Sequence, residues 1–352
     1  MGMESLQLCL TVEGEVTLQE IEEILAELGF ERRFNNLHWY KWFDKNQSTM
    51  GCDFSIDSKE SVIINGHKVR KFYFKSITYP GRSYMDLEMQ NNVISRMQQK
   101  FGGELFDENG VSSSFIENTL PQLTSTEIAC EIEFGRFLSN VGRFNRLIEE
   151  VDEELLEGYQ SATEPGMKDF FTSSLSSNES LLRNNTLLPF AVATLEDFLK
   201  NLLAKNLETN ETARDIIFQN DRKIKYSEIK EIISGEKSLI DMEMNFYNFQ
   251  NLESANGAYK KFLDFDMFKE VLNKKHRSEN EEVTVLSVLS ELIAIRHNVI
   301  HEAKLDYTLG KKKMKQYYAF LLLFGGELME KLRGKLGLRD ATKELNVEVI
   351  KQ

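Results

Sequence analysis

Two kinds of hydrophobic spacing divide the chain. Before residue 107, apolar and polar residues alternate in short runs such as residues 6–12, a period that is typical of strands. From about residue 124 onward, apolar residues recur every three or four positions, which is typical of amphipathic helices. The change falls in a polar, turn-forming segment at residues 107–114, and Pro121 follows it. We therefore expect two domains that differ in fold class.

The first domain, residues 1–115, is predicted to be α+β. Thr17 and Glu20 have the spacing of a capping box at the start of an amphipathic helix that runs to Leu28. The remaining pattern predicts strands at residues 33–43, 51–56, 61–64 and 68–79, a hairpin turn at Asn65-Gly66 and a helix at residues 85–101. These elements suit a ferredoxin-like or similar open sandwich, with the strand order left open. The domain has no Gly-rich phosphate loop, metal-ligand cluster or nucleophile signature, which favours a sensor or recognition role.

Residues 124–180 predict a long connecting helix followed by a linker. Apolar positions keep a helical spacing as far as Tyr159, whereas residues 163–178 are rich in Ser and Thr and contain Pro165-Gly166. Beyond them, residues 181–340 predict an all-α domain. Its main helices are expected at residues 187–207, 283–302 and 309–336.

Composition limits the classes of protein that the chain can represent. Its 352 residues are 41% hydrophobic, enough for two ordinary cores, and no stretch approaches the roughly 20 apolar residues of a membrane span. The N-terminus also lacks the order of a secretory signal, so we expect a cytoplasmic location without membrane contact. Cys9, Cys52 and Cys130 are widely spaced, which predicts buried reduced thiols and neither a disulfide framework nor a zinc site.

Net charge argues against a general nucleic-acid coat but allows local binding. The formal net charge is −13, and nonspecific binding of nucleic acid depends on basic side chains that neutralise phosphates. Between residues 296 and 315, however, there are six basic side chains and two acidic ones. We therefore expect RNA to bind at this end of the chain. The candidate contacts are Lys304, Lys311, Lys312 and Lys313.

The strongest candidate for chemistry is Arg296-His297-Asn298-Val299-Ile300-His301. It places a permanent cation, two imidazoles and an amide at the end of a strongly apolar helical run that begins near Glu282. Arg33 and His38 have the same separation, but they lie in a mixed aromatic and polar segment that predicts strand or loop. Because the spacing alone is unspecific, only the helical scaffold distinguishes the first motif from the second.

This motif resembles that of the HEPN superfamily. In both, an Arg is followed by a polar residue and, a few positions later, by a His, late in the penultimate helix of an all-helical domain. Residues 188–199 look like the early helix of that family, and residues 307–332 look like its closing helix. The resemblance implies a metal-independent endoribonuclease that needs no cofactor. It also implies a role in prokaryotic antiviral defence or a toxin system, with a phage- or host-derived activator acting through the N-terminal domain.

The resemblance further implies that two copies of the chain form a homodimer and share one site. In a helix, residues five apart are separated by about 7.5 Å and rotated by roughly 140°, so a single helix makes a poor site from Arg296 and His301. In the implied dimer, His301 acts as general acid or base and Arg296 holds the scissile phosphate. His297, with support from Asn298, fills the polar position after the Arg. Attack by the ribose 2′-hydroxyl then cleaves RNA, and not DNA, to a 2′,3′-cyclic phosphate.

The same residues also allow interpretations without catalysis. His301 can cap the C-terminus of the helix, and Arg296 can form an ion pair with Glu291 or Glu302. The domain is then an inert HEPN-like dimerisation or interaction module, or a regulator that binds RNA without cleaving it. Glu196-Asp197 lie in the early helix, where a solvated surface is favoured over a place in the site.

Overall fold

The structure is a computed structural model that describes residues 6–13, 16–34, 38–64, 67–107, 110–111, 114–219, 224–278 and 281–340. It divides the chain into two units, which are Met1–Ile128 with Arg339–Gln352 and, between them, Ala129–Leu338. Residues 129–180, predicted as part of a separate connector, therefore belong to the second unit. The predicted turn at Asn65-Gly66 and parts of the polar segment at residues 107–114 lie outside the described residues.

The N-terminal unit is built on an antiparallel sheet with two helices. Its described strands are β1 (Leu6–Glu13), β2 (Glu31–Arg32), β3 (Trp39–Trp42), β4 (Cys52–Ile64), β5 (His67–Thr78), β6 (Glu104–Asp107) and β7 (Gly110–Val111). They lie in the order β2-β3-β4-β5-β1-β6-β7, and each neighbouring pair is antiparallel. The helices are α1 (Leu18–Glu27) and α2 (Tyr84–Phe101). The predicted combination of strands and helices is confirmed for this unit.

Helix α2 packs on the central strands of the sheet. Its buried Ile94 belongs to a hydrophobic cluster with Phe54 of β4 and Phe74 of β5. Helix α1 begins at the predicted capping box. There the backbone N–H of Glu20 donates to the Thr17 hydroxyl at 3.3 Å, and the Thr17 N–H donates to the Glu20 carboxylate at 3.1 Å. One apolar core therefore lies between the helices and one face of the sheet.

Two predicted strand boundaries differ from the structure. Within the strand predicted at residues 33–43, the described strand residues are only those of β3. The strands predicted at residues 51–56 and 61–64 form the single strand β4, which begins at Cys52, because pairing with β5 continues through the polar residues between them. The register shifts between Lys59 and Val62, which accommodates an irregularity without ending the strand. Polar residues interrupt the hydrophobic alternation there, so the pattern alone predicted a break.

The second unit consists mainly of helices. Its described helices are α3 (Ser125–Arg146, which begins in the first unit), α4 (Glu153–Ser161), α5 (Pro165–Ser176), α6 (Glu179–Thr209), α7 (Glu211–Phe218), α8 (Tyr226–Ile233), α9 (Leu239–Met244), α10 (Leu252–Leu263), α11 (Val285–His301) and α12 (Lys311–Leu336), with a π-helical turn at Phe268–Leu272. An antiparallel hairpin of β8 (Lys275–Ser278) and β9 (Glu281–Thr284) precedes α11. The prediction of an all-α domain is therefore wrong at this hairpin. Its mostly charged and polar residues carry no apolar alternation that could have indicated strands.

Helix α6 lies at the centre of the core of this unit. Buried apolar side chains occur along its length, namely Leu181, Leu188, Ala191, Val192, Leu195, Phe198, Leu199, Leu202, Leu203 and Leu207. They form one hydrophobic cluster with buried residues of α3, α11 and α12. The packing of these helices therefore fixes the position of α11, the helix that carries the motif.

Two helix boundaries upstream of α6 also differ from the prediction. The linker predicted at residues 163–178 contains α5, and Pro165 opens this helix, where its missing N–H costs no hydrogen bond. A residue that predicted a break thus marks a helix start. The long helix predicted from residue 124 to Tyr159 ends at Arg146, and α4 begins where the Asp152 carboxylate accepts the N–H of Glu154 at 2.9 Å.

The contact between α3 and α12 predicts opposite effects at two adjacent glycines of α12. A methyl group on Gly325 would lie 2.3 Å from the ring of Phe137, whereas one on Gly326 would have no described neighbour within 4 Å. We expect Gly325→Ala to lower the free energy of unfolding by about 1–3 kcal/mol through overpacking. Gly326→Ala, the control, should raise it by about 0.5–1 kcal/mol because alanine favours the helix. Urea denaturation measures both changes, and equal effects would contradict this packing.

Candidate active site

Helix α11 has a buried face and an exposed face. Thr284 caps its start, where the N–H of Ser287 donates to the Thr284 hydroxyl at 3.1 Å. Its buried residues recur at helical spacing and are Val285, Val288, Leu289, Leu292 and Ile295. At the end of the helix, His297, Asn298 and His301 are exposed. The apolar face thus anchors the helix to the core and leaves these three motif residues at the surface.

Arg296 is half-buried and has no ion-pair partner in the described part of the chain. Its buried Nε–H finds no acceptor there either. The alternative ion pairs are not formed, because Glu291 binds Lys313 at 2.7 Å and Glu302 binds Lys304. A guanidinium without a carboxylate partner keeps its charge and its N–H donors available for an anion such as a phosphate.

His297 and His301 lie one turn apart at the exposed end of α11. Their ring centroids are 4.5 Å apart, with planes tilted by 40°. His301 is the last residue of the helix, and the N–H of Glu302 donates to the Asn298 carbonyl at 3.0 Å. Two imidazoles at this distance can accept and donate protons at one surface. A protonated His301 would also interact favourably with the helix C-terminus, so the catalytic and structural interpretations share this geometry.

A cleft of about 680 Å³ runs along the exposed face of α11. Its lining residues on that helix include Ser290, Ile293, Arg296, His297 and Asn298. The opposite wall contains Asn248, Gln250, Asn251 and Glu253, around the start of α10, and Phe268 of the π-helical turn. His301 does not line the cleft. The structure therefore brings Arg296, His297 and Asn298 together around one cavity and leaves His301 outside it.

The predicted RNA contacts lie beside carboxylates. Lys304 forms an ion pair with Glu302, Lys311 with Glu150 and Lys313 with Glu291. A second cleft, of about 780 Å³, is lined by Lys311, Lys312 and Lys313 and by the glutamates Glu153, Glu157, Glu281 and Glu291. The positive charge that the sequence places here is therefore largely compensated by neighbouring carboxylates. RNA contact at these lysines stays a prediction.

Two buried asparagines on α6 fix the loop that follows the motif. The side-chain amide of Asn185 donates to the Asp306 carbonyl at 3.0 Å and accepts the Asp306 N–H at 2.8 Å. The amide of Asn184 donates to the Leu309 carbonyl at 2.9 Å and to the Glu149 carbonyl at 3.0 Å. Both side chains are fully buried. The central helix therefore holds the connection between α11 and α12 through side-chain hydrogen bonds.

Sequence reasoning missed these positioning residues and the amide-bearing wall of the cleft. Nothing in hydrophobic periodicity marks Asn184 or Asn185 as buried. The Gln250 amide donates to the Glu196 carboxylate at 2.6 Å, so Glu196 supports a residue of the cleft wall. The one local signal was the run Asn248-Phe249-Gln250-Asn251, which has three amides in four residues.

The second pair with the same Arg-to-His spacing has a different setting, in the N-terminal unit. Arg33 lies 3.5 Å from the buried carboxylate of Asp53, and His38 is exposed. Arg33 is therefore an ion-pair partner of a buried acid. Because its guanidinium is engaged, this pair lacks the unpaired cation that Arg296 provides.

Two of the three cysteines are buried and free. Burial raises the pKa of the Cys52 thiol, and it raises the pKa of Cys130 to about 12. Because the thiolate is the nucleophile, neither side chain suits covalent catalysis. The prediction of buried reduced thiols is confirmed for these two, while the side chain of Cys9 lies outside the described residues. Among the described side chains, no group of three or more His, Cys, Asp or Glu could hold a metal ion.

Comparison with known proteins found no relative of the chain. No model of a protein family, no curated protein and no solved structure matches it. No helix in the described ranges is long and apolar enough to cross a membrane. The resemblance to the HEPN superfamily therefore rests on the motif and its flanking segments alone.

Removing one of the buried asparagine side chains of α6 should lower the stability of the protein, whereas removing an asparagine side chain of the same helix that makes only an exposed contact should have little effect. Asn185→Ala leaves the backbone N–H and carbonyl of Asp306 without their partners, so we expect it to lower the free energy of unfolding by about 1–3 kcal/mol. Asn201→Ala, on the same helix, removes only an exposed contact to Asp197 and should cost less than about 0.5 kcal/mol. Denaturation with urea compares the two, and equal losses would show that the loop is held by other contacts.

Proposed function

We propose that the protein is a metal-independent endoribonuclease of the HEPN type that acts as a homodimer. The observation that carries this proposal is the unpaired guanidinium of Arg296, which lines an open cleft beside His297 near the end of α11. A structural arginine on a helix surface is expected to bind a nearby carboxylate. Here Glu291 and Glu302 bind lysines instead, which leaves the cation available for a phosphate.

Each motif side chain suits one part of RNA cleavage. His301 takes the proton from a ribose 2′-hydroxyl or gives one to the leaving 5′-oxygen. Arg296 holds the scissile phosphate and stabilises the negative charge that develops on its oxygens. His297, with support from Asn298, orients the second imidazole or the substrate. The 2′-oxygen bonds to phosphorus as the bond to the 5′-oxygen breaks, which leaves a 2′,3′-cyclic phosphate.

One copy of α11 does not complete this site. His301 lies outside the cleft that Arg296 lines, and residues five apart on a helix diverge by roughly 140°. A second copy related by a two-fold axis brings its own motif to the same substrate. The exposure of Ile300, at 44%, supports an interface here, because an apolar side chain among polar exposed ones gains from being covered.

The N-terminal unit is proposed to receive the signal that activates cleavage. In the sheet, the four neighbouring strands lie in the order β4-β5-β1-β6. Along the chain, α1 follows β1, and α2 lies between β5 and β6. This arrangement supports a ferredoxin-like β-α-β-β-α-β unit, extended by β2 and β3 at one edge and by β7 at the other. A phage- or host-derived activator, a cytoplasmic location and a role in antiviral defence or a toxin system complete the proposal on the strength of the resemblance.

A second candidate is a catalytically inert HEPN-like interaction module, or a regulator that binds RNA without turnover. The observation that favours it is the ion pairing of Lys304, Lys311 and Lys313, which lowers the positive charge available to an RNA backbone. The two functions differ in one product. Only the nuclease generates RNA fragments with cyclic-phosphate ends.

Replacing either motif residue should abolish cleavage without unfolding the protein. Arg296 has no described ion-pair partner and His301 is exposed, so Arg296→Ala and His301→Ala break no described ion pair. We expect the His301 variant to lose about 10²–10⁴-fold in rate, the usual contribution of general acid–base catalysis, and the Arg296 variant to lose cleavage as well. Cleavage of labelled RNA and thermal unfolding measure the two effects.

Arg33→Ala and His38→Ala are the matched controls, since they have the same spacing in the other unit. They should leave the intrinsic cleavage rate unchanged even where they impair activation. His38→Ala is the cleaner control, because Arg33 pairs with the buried Asp53. The assignment is contradicted when His301→Ala unfolds the protein and His38→Ala abolishes cleavage in a stable fold.

A shared site predicts that two inactive variants restore activity when mixed. A heterodimer of Arg296→Ala and His301→Ala chains retains one intact Arg296 and one intact His301, each on a different copy. After subunit exchange of equal amounts we expect up to about half of the wild-type rate, because half of the dimers are then heterodimers. Each variant alone, treated identically, is the control. A protein that is monomeric at micromolar concentration, or stable heterodimers without activity, would rule out the shared site.

A further inference from the structure

The cleft beside Arg296 has a chemical character that phosphate binding does not require. Its wall opposite α11 carries the side-chain amides of Asn248, Gln250 and Asn251. The half-buried ring of Phe268 and the half-buried Ile293 add apolar surface. Its volume of about 680 Å³ lies within the roughly 300–1,000 Å³ of small-molecule sites. Flat apolar surface beside amide donors and acceptors is the combination that recognises an aromatic heterocycle.

Several polar groups of this wall are available to a ligand. The Gln250 amide nitrogen donates to Glu196, which fixes the side chain and leaves its amide oxygen as an acceptor. The side-chain oxygen of Asn251 caps α10 by accepting the N–H of Ser254 at 2.9 Å, which leaves its NH₂ group as a donor. The wall therefore offers both kinds of hydrogen-bonding group on rigidly placed side chains.

We infer that this cleft binds the base of the nucleotide next to the scissile phosphate, so that the enzyme cuts RNA selectively by base. The inference rests on the proposed function, because Arg296 lines the same cleft and would hold the phosphate attached to that nucleotide. Phe268 stacks on the base, and the amides contact its edge.

The cleft also indicates which bases it favours. The carboxylate of Glu253 lines it and can only accept hydrogen bonds. Adenine, cytosine and guanine each carry an exocyclic amino group that donates to such a carboxylate, whereas uracil offers only its single ring N3–H as a donor. A carboxylate near an RNA strand repels phosphates, so its presence in the wall favours contact with a base rather than with the backbone. Uracil is therefore the base that the cleft favours least.

Binding of the four ribonucleoside 3′-monophosphates to the full-length protein tests this inference without requiring cleavage. We expect the adenine, cytosine and guanine nucleotides to bind about tenfold more tightly than the uracil nucleotide. Glu253→Leu should remove that preference. Glu211→Leu is the matched control, because Glu211 also lies in the first turn of a helix capped by an asparagine, and it should keep the preference. Phe268→Leu should weaken binding of all four by about tenfold through lost stacking.

The second arm uses RNA trinucleotides made uncleavable by a 2′-deoxy sugar, with each base in turn beside the central phosphate. Base-selective binding of the trinucleotides identifies an RNA base as the occupant of the cleft. Base-selective binding of the mononucleotides but not of the trinucleotides identifies a free nucleotide as the occupant and overturns the inference. Equal binding of all four bases, or a preference that Glu253→Leu retains, overturns it as well. RNA cleavage without base preference at the cut site would overturn the inference but would still support the proposed nuclease function. Base-selective trinucleotide binding without any cleavage would instead contradict the proposed function.

Discussion

The burial of α6 is the constraint on which the helical unit depends. Buried apolar side chains occur along this helix and form one cluster with α3, α11 and α12, so the position of the motif helix is set by close packing. The same helix carries Asn184 and Asn185, whose amides fix the loop after the motif. Apolar burial thus places α11, and buried hydrogen bonds hold the loop that follows it. A site at the end of α11 inherits its rigidity from both.

The charges around the end of α11 are arranged so that this end is not generally attractive to an RNA backbone. The local excess of basic residues is compensated by carboxylates that lie beside it in the fold, as when Glu150 binds Lys311. Arg296 differs because its buried Nε–H has no described acceptor. With a net charge of −13 and paired lysines, the protein gains little from nonspecific phosphate contact. The RNA binding that we propose would then depend on a few specific contacts, such as those of the cleft beside Arg296.

Local sequence patterns predict the helices and strands better than they predict the surroundings of the candidate site. The capping box at Thr17 and the ends of α11 and α12 follow from residue spacing within a few positions, because caps and amphipathic faces are local properties. The hairpin before α11 was missed because its strands are mostly polar, and α5 was missed because Pro165 fits the first turn of a helix as readily as a loop.

The motif residues were found from the sequence, but their surroundings were not. The unpaired state of Arg296 depends on which lysines reach Glu291 and Glu302, and the amide wall of the cleft comes from residues about 50 positions earlier in the chain. Such contacts arise only when the helices pack, so no spacing rule contains them. The same limit applies to Asn184 and Asn185, which look like ordinary polar residues until the fold buries them.

The chemistry of the cut tests the central claim most directly. The proposed reaction uses the ribose 2′-hydroxyl as nucleophile and imidazole and guanidinium side chains as catalysts, so it depends on the sugar and not on a divalent cation. RNA incubated with the protein in excess EDTA should be cut to fragments ending in a 2′,3′-cyclic phosphate, and a single 2′-deoxy nucleotide at the cut site should block that cut. Loss of cleavage in EDTA, with the deoxy substrate still cut when magnesium is restored, would contradict the account.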